Sequence, residues 1–214
     1  MSNKDFESNG YCIVKNAINP LLRDFLTQYA LFDEMQNFFQ EKDSKFGKEA
    51  QVPDAHSVIN DPAMETMLLH LQQLVEDTTG LKVFPTYSYY RVYREGHELL
   101  PHTDRSACEI SVTLCFNHSY DNSKFQWPIF IKDKEVFLDP GDIVIYKGKE
   151  LEHWREKFEP INKDDWHVQG FFHYVDVNGP YSEWKYDKRP CIGFNPDKST
   201  DVAGIMYTDK EPNF

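Results

Sequence analysis

The chain has 214 residues, 40% hydrophobic, 15% aromatic and 27% charged, enough for one large domain whose core needs neither disulfides nor a structural metal to hold. Its 35 acidic against 23 basic residues leave a net charge of −12, which repels phosphate backbones and anionic lipid and argues against nucleic acid as a bulk partner. The four cysteines, Cys12, Cys108, Cys115 and Cys191, include no CxxC pair, so neither a zinc knuckle nor a disulfide framework is indicated and a reducing compartment is expected.

The first residues, Met-Ser-Asn-Lys-Asp-Phe-Glu, carry no apolar core of signal-peptide length, and no apolar run approaches the about 18 residues of a membrane span. A soluble, cytoplasmic protein without a membrane partner is the expectation. Residues 11 to 18 predict a strand after Gly10, and Asn19-Pro20 opens a helical pattern through Leu21, Leu22, Phe25, Leu26 and Tyr29. The polar stretch 40 to 58 predicts a loop or lid. The clearest helix spans 62 to 79, with Asp61 as its cap, Pro62 in its first turn and Gly80 as its stop.

From Leu81 the pattern becomes β-rich, with runs at 82–94, 108–117, 127–131, 135–138, 142–146, 150–155 and 167–177, separated by turns such as Pro140-Gly141. Two helices followed by about seven strands indicate an α+β, mainly β domain whose sheet part is a sandwich or barrel. The tail from 179 predicts irregular structure wrapping the surface. The whole chain, 1–214, therefore divides into a strand with support helices (1–80), a β core (81–178) and that tail (179–214).

Chemistry is carried by His102, Asp104 and His153. A lone His-x-Asp tripeptide is common by chance, but His153 ends a later strand after the turn Asp139-Pro140-Gly141-Asp142. One residue between His102 and Asp104 puts both side chains on one face of an extended segment. Two imidazoles and one carboxylate on neighbouring strands form the set that holds iron(II) with positions left open.

The segments Tyr93–Arg105, Ser111–Asn117 and Pro140-Gly141-Asp142 leading to His153 resemble the iron(II)- and 2-oxoglutarate-dependent dioxygenases, near the prolyl-4-hydroxylase-like branch. The resemblance spans roughly residues 83 to 177, and its specificity lies in the order of the motifs rather than in any one of them. It implies a double-stranded β-helix (jelly roll) core with the N-terminal helices packed on it. His102, Asp104 and His153 would ligate Fe(2+), with 2-oxoglutarate as co-substrate and O2 as oxidant. It implies hydroxylation of an organic substrate, a peptidyl side chain such as proline or a small metabolite, with decarboxylation to succinate. Asp104 argues against a halogenase, since halogenating relatives carry a small residue there.

One departure from the family concerns the far carboxylate of 2-oxoglutarate, normally held by an Arg or Lys on the last core strand. The window Asn162 to His167 contains no arginine and offers only Lys163 and His167. Arg155 is the physical alternative: two residues past His153, it shares that residue's inward parity, and its fork suits a carboxylate. His167 and Gln169 share inward parity on the last strand, and Tyr93 matches a position from which relatives donate a phenol hydrogen bond. His173 has the same parity as His167. His56, His70 and His118 are expected at the surface, the aromatics Tyr87, Tyr89, Tyr90, Trp127, Phe171 and Phe172 inside the barrel, and Arg91, Arg94 and Arg105 at its mouth.

Two other readings fit the same residues. A cupin-like metalloprotein would use the three ligands with another divalent ion and no oxoacid, and a non-catalytic jelly-roll module would merely retain them. A basic side chain aimed into the barrel separates the first of these from the dioxygenase.

Overall fold

The computed structural model describes residues 3–39 and 51–194. The chain runs α1 (Asn3–Asn9), β1 (Tyr11–Val14), α2 (Pro20–Phe39), β2 (His56–Ile59), α3 (Pro62–Thr79) and β3 (Val83–Tyr93). It continues through β4 (Leu99–His102), β5 (Ile110–His118), β6 (Ile129–Ile131), β7 (Lys134–Val136), β8 (Ile143–Tyr146), β9 (His153–Arg155) and β10 (His167–Asp176). Short 3-10 turns lie at Ser106–Cys108 and Ser182–Lys188.

The predicted helix 62 to 79 is reproduced because each local signal acts as read. Asp61 is extended and its carboxylate accepts the N–H groups of Ala63 and Met64 at 2.9 and 3.3 Å. Gly80 ends the helix at φ 75°, a left-handed conformation that a side chain disfavours. Tyr29 on α2 donates to the other Asp61 oxygen at 2.6 Å, so the cap also fastens α2 to α3.

All strand pairings are antiparallel. One sheet has the order β1-β8-β5-β10-β3-β2 and the other β4-β9-β6-β7. The helices cover one face of the larger sheet, where Leu26, Met64, Leu68 and Leu71 pack with Tyr90, Val92, Val112, Leu114 and Phe172 in one core cluster. The alternate residues of β3, β5 and β10 turn the other way, toward the smaller sheet. The larger sheet is covered on both faces, so its strands read as nearly continuous apolar runs, which blurs parity in the sequence.

Several expectations are corrected. Tyr90 and Phe172 lie in the core shared with the helices, not in the space between the sheets. The loop read over 40 to 58 contains β2, which pairs with β3 from His56↔Val92 to Ile59↔Tyr89; its residues 40–50 lie outside the described residues. Helix α1 and strand β4 have no counterpart in the sequence reading. Tail residues 179–194 are irregular as expected and are tied down by Arg189, which meets Glu65 of α3 at 2.5 Å and the carbonyl of Thr86 at 3.0 Å. Residues 195–214 lie outside the described residues. All four cysteines are free thiols. Among the described residues no helix is long and apolar enough to cross a membrane.

Candidate metal centre

Antiparallel pairing of β4 with β9 sets His102 directly opposite His153, their ring centroids 4.3 Å apart. In each ring Nδ1 lies against the carbonyl two residues earlier, Leu100 at 2.8 Å and Leu151 at 2.9 Å. A carbonyl oxygen only accepts, so both Nδ1 atoms carry the proton and both Nε2 lone pairs are free to bind a cation. Those Nε2 atoms stand 3.7 and 3.6 Å from Asp104 Oδ1, and the three donor atoms all lie within 4.8 Å of one another. Burial lowers the His153 pKa, which keeps that ring in the neutral form a metal requires.

The carboxylate is aimed by its neighbours. Ser111 on β5 donates its hydroxyl proton to Asp104 Oδ2 at 2.7 Å, leaving Oδ1 to face the two imidazoles. Because that proton is committed, Ser111 Oγ accepts from His173 Nδ1 at 3.0 Å. The neutral His173 ring, with its pKa lowered by burial to about 4, thus props Ser111, which props Asp104. Gly148 closes the other side: its carbonyl accepts the Asp104 N–H at 2.9 Å, and a Cβ there would stand 2.3 Å from Asp104 Oδ2 and 2.4 Å from Ser111 Oγ. Only glycine leaves the carboxylate its place. Ser111→Ala is expected to weaken divalent-metal affinity by roughly 10- to 100-fold, the usual cost of losing an orienting partner, with the circular dichroism spectrum unchanged. Calorimetric titration with iron(II) or manganese(II) reads this directly.

Arg155 is also in β9, opposite Leu99 of β4, and it is 2% exposed. Among the described residues it forms no surface ion pair with its neighbours Glu152 or Glu156. Its guanidinium lies 4.4 Å over the Trp127 ring, donates to the Trp127 carbonyl at 2.7 Å and reaches Gln169 Oε1 at 3.2 Å. Among the described residues no carboxylate pairs with it, and desolvation pulls its pKa down. An arginine buried without an anion is costly, and a bound carboxylate would relieve that cost.

Gln169, His167 and Tyr93 gather around this cation. Gln169 Nε2 donates to Thr113 Oγ1 at 2.7 Å, which turns its Oε1 toward Arg155 and His167. His167 Nε2 donates to that oxygen at 2.6 Å, so its Nδ1 accepts from Tyr120 at 3.0 Å. Tyr93 packs edge-on against Trp127 at 4.8 Å and accepts from Arg91. Lys163, in contrast, is exposed and pairs with Glu95 at 3.3 Å.

Sequence reasoning misplaced some residues and missed others. Arg91 is fully buried between the rings of Tyr89, Tyr93 and Phe171, not at the mouth. His118 is half-buried and stacked on Tyr120 at 3.9 Å, and His56 meets Asp33 at 2.9 Å, so neither is a free surface histidine. Ser111 and Gly148 had no assigned role, and Trp127 was placed inside the barrel without one at the arginine. The inward parity of Ser111 with Thr113 and Cys115 on β5 was the available signal for the first.

No protein-family model matches the chain, and no curated protein sequence does. Solved structures do. A prolyl-4-hydroxylase from Pseudomonas putida superposes with TM-score 0.56 at 16% identity, covering 80% of this chain and 96% of that one. EctD from S. alaskensis, solved with 2-oxoglutarate and 5-hydroxyectoine, gives TM-score 0.63 at 12% identity over 87% and 82% of the two chains. A prolyl hydroxylase from Trichoplax adhaerens, in complex with a hypoxia inducible factor peptide fragment, gives 0.59 at 15% identity over 82% and 88%. By backbone geometry the chain has the fold of the 2-oxoglutarate-dependent oxygenases, prolyl hydroxylases among them.

Proposed function

We propose that the protein is an iron(II)- and 2-oxoglutarate-dependent oxygenase, its two facing sheets forming a double-stranded β-helix. One observation carries the reading: a His102–Asp104–His153 set with both Nε2 lone pairs converging, and, in the same strand as His153, a buried arginine with no counter-ion among the described residues. A metal-only site of the cupin kind has no use for the second half of that pair. Bound here, iron(II) and 2-oxoglutarate supply oxidation of an unreactive C–H bond with conversion of the oxoacid to succinate and CO2.

The chain's own residues perform the holding and the shielding. His102, His153 and Asp104 Oδ1 would hold the metal, while Ser111 and the backbone of Gly148 keep Asp104 from turning away. Arg155 would take the far carboxylate of the oxoacid bidentately, with Gln169, His167 and Tyr93 around it and Trp127 beneath the guanidinium. Stacked aromatic rings, Tyr89 on Phe171 at 4.3 Å and Tyr87 on His173 at 4.6 Å, exclude water from the space between the sheets.

The substrate is an organic molecule hydroxylated at carbon, with a peptidyl side chain such as proline as the first choice and a small metabolite as the second; both kinds of ligand occur among the structural neighbours. The test is succinate release from 2-oxoglutarate by the purified protein, screened against prolyl peptides and small cyclic metabolites. Iron-dependent succinate that rises with one substrate class supports the proposal. Metal binding with no succinate under any condition contradicts it.

A further inference from the structure

The outward face of α2 is built like one half of an interface. Leu21, Phe25, Phe32, Met35 and Phe39 are all exposed, at 82, 62, 56, 47 and 73%. With Gln28 between them they fall at alternating steps of four and three residues, the a/d rhythm of a coiled-coil seam. The described residues do not use this stripe. Its buried residues, Leu26, Thr27 and Ala30, occupy the opposite side and already fasten it to the core.

We propose that this face pairs with α2 of a second copy, antiparallel and about a two-fold axis level with Ala30. In that arrangement unlike residues meet across the seam, whereas a parallel pair would set each residue against its own copy. Leu21 then meets Phe39 of the other copy, Phe25 meets Met35, and Gln28 meets Phe32, each pair equidistant from residue 30. Charge agrees: Asp24 is the only charged residue among the exposed positions of α2, it is already paired with Arg23 at 2.8 Å, and it falls opposite Gln36. A seam this poor in charge is unexpected on a chain of net charge −12 unless something covers it.

Area agrees as well. With a large apolar side chain offering on the order of 200 Å², the stripe exposes roughly 600–800 Å² per copy, so two copies reach a standard-size interface. The chain offers a weaker occupant of its own. Residues 40–50 contain one large apolar residue, Phe46, whereas 195–214 contain Val202, Ile205, Met206, Tyr207 and Phe214. The second copy is favoured because the tail has no matching four-three spacing.

Sedimentation equilibrium of the full chain tests this. A mass of twice 25.2 kDa at micromolar concentration, falling on dilution, is expected; a monomer at all concentrations overturns the proposal. Phe25→Glu with Phe32→Glu is expected to weaken dimerisation by roughly 100-fold or more, with thermal unfolding of the monomer checking that it folds. A dimer that ignores this change places the interface elsewhere and also overturns the proposal. The register has its own test, because residue 25 faces residue 35 only in the antiparallel pair. Phe25→Glu and Met35→Lys should each dissociate the dimer, and the two together in one chain should restore it. Failure of the combined variant contradicts the arrangement.

Discussion

Replacing Arg155 by Met is expected to weaken 2-oxoglutarate binding by roughly 30- to several-thousand-fold, the 2–5 kcal/mol that follows when one partner of a buried charge pair is removed. Iron(II) affinity should be unchanged, because Arg155 contacts Trp127 and Gln169 and none of the three candidate ligands. The size of the effect comes from burial. The guanidinium is already out of water and has no anion among the described residues, so a carboxylate placed there meets an unscreened charge. Lys163→Ala is the control: that side chain is exposed beside Glu95, and its loss should leave oxoacid affinity as it was. Should Lys163→Ala weaken binding and Arg155→Met not, the anchor assignment would be wrong while the metal site stood.

The second large effect belongs to the ligands. Asp104→Ala or His153→Ala should lower iron(II) affinity by more than about 100-fold, exceeding the cost of an orienting partner such as Ser111. Asp104 is the more informative of the two. Its Oδ1 lies within 3.7 Å of both imidazole Nε2 atoms, so its removal takes away both the charge and the shared focus of the set. Equilibrium dialysis with metal analysis reads the change. Unaltered affinity in either variant would show that the metal sits elsewhere.

How much of this was legible in the chain depended on how local the cause was. The limits of α3 follow from Asp61, Pro62 and Gly80, each acting on its own neighbours, and so they could be read directly. His102 and Asp104 were legible because parity in an extended segment fixes their common side, and Arg155 because it inherits the parity of His153. Strand β4 was not, since its four residues include Pro101 and it pairs with β9 at only two registered positions, its pairing set by the far strand rather than by its own composition. Arg91 escaped for another reason. Strand β3 is covered on both faces and its composition does not alternate, so the fourfold series Tyr87, Tyr89, Arg91, Tyr93 cannot be assigned inward from sequence.

The supporting residues are the least legible. Ser111, Gly148 and His173 act on Asp104 from β5, from a turn and from β10, and nothing in the sequence joins them. The tautomers of His102, His153 and His167 likewise follow from carbonyl and amide partners that only the fold brings near. The same limit applies to α2. Its pattern announced a helix through Tyr29, but which of its two apolar stripes faces the core was settled by packing.

The most direct test of the central claim is an anaerobic titration of the purified chain with iron(II) and then 2-oxoglutarate, followed by visible absorption. The account predicts a weak charge-transfer band that requires both additions, is absent in the Asp104→Ala variant, and needs far more 2-oxoglutarate in the Arg155→Met variant. Iron bound at full occupancy with no band at any concentration of 2-oxoglutarate would contradict it, and would leave a metal site that binds no oxoacid.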